Sequence, residues 1–365
     1  MQFEHYAVVP GEDGASLAVV DGRLPSARAG FRLPEILAEL ATAIGKPVYL
    51  RTAARTDPER LHIFDTGDTG ETLPLRDADP SQLVPPGLRP ALERWLDEQR
   101  GAPVPELRAA WARPGWRAQA EAWAGCSLEP IRQWPLSAVL HGEAGFLKAV
   151  FPLFHCEPAV TEALAREHPR SVPELIRVDH ERGWMLMRKL PGTVVGDSGS
   201  TAGAAEALRT LAELQRFWST RTDELFALGA QDRRVEGITL PLPETIGHGD
   251  FHPYNVTFDG ERAVIFDWSD ACVAQPLLDL HLFLIDEGED ARDALIDVYA
   301  EPWAGIASAD EIRAALAVAE WLSCRHQAES YTAIAEAVEP DDRGMFEREA
   351  QVWRERARGN ASQPG

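Results

Sequence analysis

In residues 246–270, IGHGDFHPYNVTFDGERAVIFDWSD, two of the four aspartates, Asp250 and Asp267, and the single asparagine, Asn255, have a spacing that could bring their side-chain oxygens together. The dipeptide Asp-Gly at 259–260 stands between two apolar runs, which is a strong signal for a hairpin turn. In such a hairpin, Asn255 begins one strand and Asp267 ends the other, so both lie at its open end. Because Asp250 precedes Asn255 by five residues, the pattern predicts that two carboxylates and one amide converge.

Oxygen ligands of this kind suit a hard cation such as Mg²⁺. One carboxylate and one carboxamide are few ligands, which fits a magnesium ion that keeps water and shares phosphate oxygens. The remaining carboxylate, Asp250, could then accept a proton from an attacking hydroxyl.

Two other patterns in the chain suggest different chemistry. His248 and His252 are four residues apart, as in a helical zinc pair, but Gly249 and Pro253 argue against a helix there. The segment GDSGS at 196–200 is similar to a serine-protease nucleophile motif, although it departs at the final position and lacks a β-barrel pattern around it. We expect a flexible connection at that segment and keep a hydrolase that uses Ser198 as an alternative.

HGDFHPYN followed by IFDW resembles the paired signatures of the aminoglycoside phosphotransferase and choline kinase family, a branch of the protein-kinase-like fold. The spacing of five between Asp250 and Asn255 equals that of the kinase catalytic loop. The resemblance implies that Asp250 is the catalytic base and that Asn255 and Asp267 hold magnesium. Structural roles in the loop are expected for His248, His252 and Asp279.

The upstream strands agree with this resemblance. Lys148, in GFLKAV, lies on a predicted strand after a hairpin, where the family places its phosphate-binding lysine. Glu157 resembles the partner of that lysine, and Glu162 is the weaker candidate. The segment WMLMRKLPG resembles the strand and hinge whose backbone holds adenine. The residues expected there are Met187, Arg188 and Leu190.

One part of the family pattern is missing. The bend between the first two strands reads Gln-Trp-Pro-Leu-Ser at 133–137, where the family has a Gly-rich loop over the phosphates. Pro135 has no amide proton to offer a phosphate. Ser137 is the residue whose hydroxyl could take over that contact.

The chain of 365 residues is long enough for two or three domains. Strand signals come early and helical periodicity late, which predicts an α+β protein with a two-lobed body. The family resemblance implies that this body has the protein-kinase-like fold. The accessory unit in front of that body resembles the cap of bacterial maltokinases and glucosamine kinases. The predicted divisions are an α+β accessory unit with a Pro- and Trp-rich connection over 1–118, a mainly β N-lobe over 119–191, a mainly helical C-lobe over 192–358 and a disordered tail over 359–365.

The charge balance restricts the partners. The chain has 36 basic and 58 acidic residues, a net charge of −22, which disfavours nucleic acid and anionic membranes. The four cysteines include no CxxC pair and indicate reduced thiols in the cytoplasm. We also find no basic, apolar leader at the N-terminus and no stretch of 18 apolar residues.

These observations predict a Mg²⁺-dependent kinase that transfers phosphate from ATP or GTP to a hydroxyl of a small molecule. Only eleven residues separate Asp267 from Asp279, too few for the activation segment of a protein kinase. The expected acceptor is a sugar, an amino sugar or an aminoglycoside, with Asp270, Asp286 and Glu287 as candidate contacts. The alternatives are a pseudokinase that only binds, or a kinase for another alcohol such as choline or homoserine.

Overall fold

The structure, a computed structural model, describes residues 2–45, 47–66 and 70–359. The predicted disordered tail therefore lies outside the described residues, apart from Gly359. The chain divides into two compact units, Met1–Ala149 with Ala337–Arg343, and Val150–Glu336 with Gly344–Gly365. The boundaries expected near residues 118 and 191 stay predictions.

The first part of the first unit is an α+β arrangement around a four-stranded sheet. Its elements are β1 (Phe3–Val8), β2 (Ser16–Val19), β3 (Ser26–Ala29), α1 (Leu33–Ile44), β4 (Val48–Arg55), β5 (Glu59–Thr66), β6 (Glu71–Pro74), α2 (Pro80–Leu83) and α3 (Arg89–Gln99). The sheet order is β3-β1-β5-β4, with β1 and β5 parallel and the other pairs antiparallel, while β2 and β6 pair separately. Helix α1 buries Ile36, Leu40 and Ile44, a spacing of four that forms one apolar stripe.

The first unit continues with α4 (Trp116–Ala124), β7 (Leu128–Trp134), β8 (Ser137–Gly142) and β9 (Gly145–Val150). Strands β7 and β8 are antiparallel, and Trp134 pairs with Ser137, so the turn between them has only two residues. Trp116 and Trp123 on α4 are 5% and 8% exposed. Such burial agrees with a packing role for these two side chains and not with a ligand-stacking surface.

Two histidines form a buried chain of hydrogen bonds in the first sheet. His5 Nε2 donates to the carbonyl of Gly30 (3.0 Å), so its Nδ1 accepts from Nε2 of His62 (2.8 Å). Nδ1 of His62 in turn accepts from the Thr52 hydroxyl (3.3 Å). Burial, helped by nearby positive charge, lowers the pKa of both rings, and most strongly that of His62. The chain of donors is complete when both rings are neutral.

We expect acid to destabilise the first unit through this pair. Below the ordinary histidine pKa near 6.5, the two histidines bind protons in the unfolded chain but stay neutral in the folded protein. The free energy of unfolding therefore decreases as the pH is lowered. The slope should reach up to about 1.4 kcal/mol per pH unit for each histidine, down to the lowered folded pKa values. Urea titrations at pH 7.5, 6.5 and 5.5 measure it. His62→Gln should reduce the slope, and an equal slope in that variant would contradict the assignment.

The second unit is mainly helical. Its elements are α5 (Glu157–Glu167), β10 (Leu175–Asp179), β11 (Trp184–Met187), β12 (Thr193–Val194), α6 (Val195–Ser198), α7 (Thr201–Trp218), α8 (Thr222–Ala227), β13 (Gln231–Asp232), β14 (Thr245–Gly247), β15 (Val256–Phe258), β16 (Ala263–Ile265), β17 (Cys272–Ala274), α9 (Leu277–Leu284), α10 (Glu289–Ala300), α11 (Ala309–Ala337) and α12 (Pro340–Gly359). All eight side chains of α9 are buried, and α7 contributes a long apolar face to the same core. The α+β class predicted from the sequence is confirmed.

The predicted hairpin is present as β15 and β16, which pair antiparallel with Val256 opposite Ile265. The turn lies one residue later than expected, because the Asp259 amide bonds the Arg262 carbonyl and leaves Gly260 and Glu261 as the loop. The Asp259 carboxylate also accepts the amides of Glu261 (3.0 Å) and Arg262 (2.9 Å), which fixes the turn.

Among the described residues, no helix has the length and apolar character needed to cross a membrane.

Candidate active site

The backbone of the loop between β14 and β15 is hydrogen-bonded to the Asp279 carboxylate on α9. The amides of His248 and Gly249 donate to its two carboxylate oxygens at 2.8 and 3.0 Å. Gln215 on α7 adds a third bond, from Nε2 to Oδ2 at 3.2 Å. Burial raises the pKa of Asp279, and the His248 ring and the two amide bonds offset only part of that effect. One carboxylate therefore orients the start of the loop.

His248 connects this loop to the end of β16. Its Nε2 donates to the carbonyl of Phe266 (3.0 Å), while its Nδ1 accepts from the amide of Asp250 (3.3 Å). Gly249 between them has φ of +82°, and a Cβ there would lie 2.3 Å from the carbonyl oxygen of Asp270. The position therefore requires glycine both for its backbone angle and for lack of space.

The Asp250 side chain is 47% exposed and stands beside His252, whose Nε2 lies 3.5 Å from Oδ2 of Asp250. Nδ1 of His252 accepts from the amide of Tyr254 (3.2 Å), and its Nε2 also lies 3.3 Å from Nδ2 of Asn255. Burial alone lowers the pKa of His252, but the bond and charge of Asp250, with the charge of Asp267, raise it overall. The carboxylate is thus oriented by an imidazole and still open to solvent.

Asn255 and Asp267 lie at the open end of the hairpin, just before β15 and just after β16. Asn255 donates from Nδ2 to the carbonyl of Asp250 (2.9 Å), and its own carbonyl accepts the Phe266 amide (3.0 Å). Asp267 has left-handed backbone angles, φ 67° and ψ 55°, which are rare outside glycine. The Ser269 hydroxyl contacts Oδ1 of Asp267 and lies 3.1 Å from the Glu157 carboxylate.

The ligand set agrees with a magnesium ion that is only partly held by protein. Among residues 2–45, 47–66 and 70–359, no three His, Cys, Asp or Glu side chains form a metal-binding group. The oxygen donors at the open end of the hairpin are one carboxylate, Asp267, and one carboxamide, Asn255. Because Mg²⁺ usually binds one or two carboxylates together with water and substrate phosphate, these residues fit it.

A cavity of about 550 Å³ opens beside Asp250 in the second unit. Three carboxylates and one guanidinium stand on its wall, those of Asp250, Asp286, Glu287 and Arg356. Three aromatic side chains, those of Tyr254, Phe283 and Trp353, also line it. The ring of Tyr254 lies directly on Gly196, where a Cβ would be 2.8 Å from the ring atoms.

Asp270, the third predicted acceptor contact, lies elsewhere and is 7% exposed. Its Oδ1 accepts from Arg233 at 2.6 Å, and its Oδ2 accepts from Arg233 at 3.1 Å and from the Ser330 hydroxyl at 3.0 Å. Burial by itself raises the pKa of Asp270, but the Arg233 guanidinium outweighs it and holds that pKa below its ordinary value. Asp270 borders a different cavity of about 340 Å³, so the structure does not group it with Asp286 and Glu287.

The residues predicted to bind nucleotide fall in both units. In the first unit, Lys148 on β9 is 6% exposed, and the Ser137 hydroxyl accepts the indole proton of Trp134 (2.8 Å). In the second unit, Glu157 begins α5 and is 1% exposed, whereas Glu162 is on the surface with His180 (3.1 Å).

The predicted hinge follows β11. Met187 ends that strand and Leu190 is half-buried three residues later. The amide of Arg188 donates to the Glu174 carbonyl (2.9 Å), and its guanidinium donates to the Glu174 carboxylate (2.8 Å). The Arg188 amide is therefore already used within the protein.

Sequence reasoning missed the supports beneath the loop. Gln215 is fully buried and accepts the Tyr299 hydroxyl (2.6 Å) while it donates to Asp279. Gln327 on α11 donates from Nε2 to the Gly249 carbonyl at 2.5 Å. One feature of the sequence could have indicated Gln215. It is an amide side chain next to the apolar stripe of α7, which contains Leu211, Leu214 and Trp218.

Solved structures with a similar fold are distant in sequence. A choline/ethanolamine kinase family protein from Mesorhizobium loti is 21% identical, with a TM-score of 0.48, and the match covers 68% of this chain and 94% of that one. Choline kinase LicA from Streptococcus pneumoniae is 11% identical, with a TM-score of 0.46 and coverage of 66% and 98%. The GDP complex of wild-type aminoglycoside 2'-phosphotransferase-IIIa is 13% identical, with a TM-score of 0.44 and coverage of 64% and 93%.

No curated protein sequence matches the chain. Residues 221–321, however, match the family model described as the phosphotransferase enzyme family, APH. The matched segment contains the loop with Asp250 and Asn255, the hairpin that ends at Asp267, and Asp279 on α9. This match confirms the resemblance found in the sequence, and with it the prediction that the chain is an enzyme of the phosphotransferase type.

Proposed function

We propose that the protein transfers the γ-phosphoryl group of ATP or GTP to a hydroxyl of a small molecule in the cavity beside Asp250. The observation that carries this proposal is the half-exposed Asp250 carboxylate on the wall of a 550 Å³ cavity, in the same loop as the Asn255 amide. A proton acceptor is thereby located where an acceptor hydroxyl would enter.

In the proposed step, the acceptor oxygen bonds to the γ-phosphorus while the bond from that phosphorus to the β–γ bridging oxygen breaks. The hydroxyl proton goes to a carboxylate oxygen of Asp250, and the nucleoside diphosphate leaves. His252 orients the Asp250 carboxylate, and the Asp279 network fixes the loop backbone. Positioning and charge neutralisation supply most of the rate in phosphoryl transfer.

Asn255 and Asp267 would hold Mg²⁺, which when bound neutralises charge on the phosphates. On the nucleotide, we assign phosphate contact to Lys148 with Glu157 as its partner, and adenine contact to the chain from Met187 to Leu190. The Ser137 hydroxyl takes the place of a Gly-rich loop in this assignment. The Arg188 side chain stays with Glu174.

The cavity favours an acceptor that carries positive charge. Its wall has three carboxylates against the Arg356 guanidinium and the His252 ring, and acidic clefts concentrate cations. Tyr254 and Trp353 also line the cavity, and aromatic side chains of this kind suit a sugar ring. An amino sugar or an aminoglycoside meets both conditions, and a small quaternary alcohol such as choline meets the first.

A screen of acceptors tests the proposal. ADP release is measured with ATP and Mg²⁺ against amino sugars, aminoglycosides, neutral sugars, choline and homoserine, with EDTA as the metal-free control. We expect turnover with a cationic, hydroxyl-bearing acceptor and its loss in EDTA. A folded protein that binds nucleotide yet transfers phosphate to none of these acceptors would refute the proposal.

A nucleotide-binding module without transfer is the second candidate. The observation that favours it is the two-residue turn between β7 and β8, which contains Pro135 and so offers few amide protons to a phosphate. The screen separates the two candidates, because only the kinase releases ADP in response to an acceptor.

Removing the cavity's negative charge should weaken acceptor binding. For the double variant Asp286→Asn with Glu287→Gln, we expect the KM of a cationic acceptor to rise about tenfold with little change in kcat, since the charges bind ground and transition states alike. Glu289→Gln, on the neighbouring turn and outside the cavity wall, is the matched control. An unchanged KM, or an equal loss for a neutral sugar, would show that these two residues do not recognise the acceptor.

A further inference from the structure

The acidic side chains at the corner between α11 and α12 form ion pairs with arginines of the first unit. This α11–α12 corner, Ala337–Arg343, is itself part of that compact unit. Asp341 accepts from Arg94 on α3 at 2.6 Å, and Asp342 accepts from Arg55 on β4 at 3.2 Å. The third acidic side chain of the corner, Glu339, is held by Arg108. Each carboxylate thus contacts an arginine from a different part of the first unit.

The contact of Glu339 with Arg108 is buried. The Arg108 side chain is 6% exposed and donates to both Glu98 oxygens, at 2.6 and 2.7 Å, and to Glu339 at 3.0 Å. Burial alone lowers the pKa of Arg108, but its bonds to Glu98 and Glu339 outweigh this and raise it. Buried charges need their partners, so this pairing fixes one geometry of the corner more strongly than exposed ion pairs do.

Both helices that meet at the corner reach the candidate active site. On α11, Gln327 donates to the Gly249 carbonyl. On α12, Trp353 and Arg356 form part of the cavity wall. Trp353 lies twelve positions after Asp341 along the helix, a distance of about 18 Å at 1.5 Å per residue.

Beyond the corner, the described contacts of helix α12 are a small number of packed side chains and one bond to α11. Within its described residues, Phe346 and Ala350 are the buried side chains of a 20-residue helix. A bond of 2.6 Å from Arg354 to the Thr332 hydroxyl joins it to α11. A helix with so little core contact opens locally at low free energy unless its ends are fixed. The end of the helix at the corner therefore adds to these contacts in fixing the position of Trp353.

We propose that the arginines of the first unit position α12, and through it the wall of the acceptor cavity. Glu339, Asp341 and Asp342 are then positioning residues for acceptor binding, although none of them borders the cavity. The inference assigns a task to the first unit and rests, for its kinetic readout, on the proposed phosphotransfer. Its structural readout does not depend on activity.

The test is the triple variant Glu339→Gln, Asp341→Asn and Asp342→Asn, which leaves Arg108 paired with Glu98. We expect the acceptor KM to rise by about threefold to thirtyfold, the usual range of coupling through such contacts, with kcat and the nucleotide KM within about twofold of the parent. Hydrogen exchange of the α12 amides should become faster. The matched control is Glu4→Gln, Asp77→Asn and Asp97→Asn, which removes the same charge from exposed ion pairs of the same unit.

An unchanged acceptor KM, or α12 amides that exchange as in the parent, overturns the positioning role. If the triple variant unfolds, Glu339→Gln alone gives the same two measurements with a smaller perturbation. If the folded parent transfers phosphate to no acceptor, the proposed function fails, while the exchange of α12 still decides whether the corner anchors that helix.

Discussion

Asp250→Asn should lower kcat by about 10²–10⁴-fold, the usual contribution of a positioned general base. Asparagine keeps the size of the side chain, and the backbone bonds of residue 250 to His248 and Asn255 do not involve the carboxylate. The fold and nucleotide binding should therefore survive. The measurement is ADP release at saturating acceptor and nucleotide, with circular dichroism and the melting temperature as checks on folding.

Asp290→Asn is the matched control, because this aspartate is exposed in the first turn of α10 and does not border the cavity. It should turn over at the parent rate. A kcat for Asp250→Asn within tenfold of the parent would mean that another group accepts the proton, or that the transition state needs no base.

Asp279→Ala should destabilise the second unit by about 3–5 kcal/mol. The change leaves three donors without their acceptor, the amides of His248 and Gly249 and the Gln215 side chain, at about 1–3 kcal/mol for each one that stays buried. Because the same bonds orient the loop, transfer should also be lost in whatever fraction stays folded. Urea unfolding gives the stability, and kcat at low temperature gives the activity.

Asp279→Asn separates these two effects. Asparagine keeps one acceptor oxygen, so it should recover roughly half of the stability lost in the alanine variant. The other half stays lost because the NH₂ group of asparagine is a donor that faces a backbone N–H donor. Equal stability of the alanine and parent proteins would contradict the role of the carboxylate as the support of the loop.

The loop and hairpin were predictable because their determinants are local. Asp-Gly in a turn, Pro253 after the loop and alternating apolar residues limit the backbone to few arrangements, so register alone puts Asn255 and Asp267 at the open end of the hairpin. The displacement of the turn by one residue came from the Asp259 carboxylate, which caps the amides of Glu261 and Arg262. Side-chain capping of this kind is hard to distinguish in sequence from the turn itself.

The cavity was predictable only in part. Asp286 and Glu287 were expected from their charge and do border it, but Trp353 and Arg356 arrive from a helix about a hundred residues from Asp250. Amphipathic periodicity shows which face of a helix is apolar, not which element that face meets. For the same reason the pairing of Asp270 with Arg233, 37 residues earlier, could not be derived from spacing.

In the proposed nucleotide site, the short turn between β7 and β8 has a consequence for nucleotide exchange. This turn has two residues, one of them a proline and neither a glycine. It cannot open and close like a mobile loop, because the proline ring fixes φ and the turn is too short to change its conformation. Exchange of spent for fresh nucleotide should then proceed without a gating step at this edge, and its rate should respond to solvent viscosity no more strongly than simple diffusion requires.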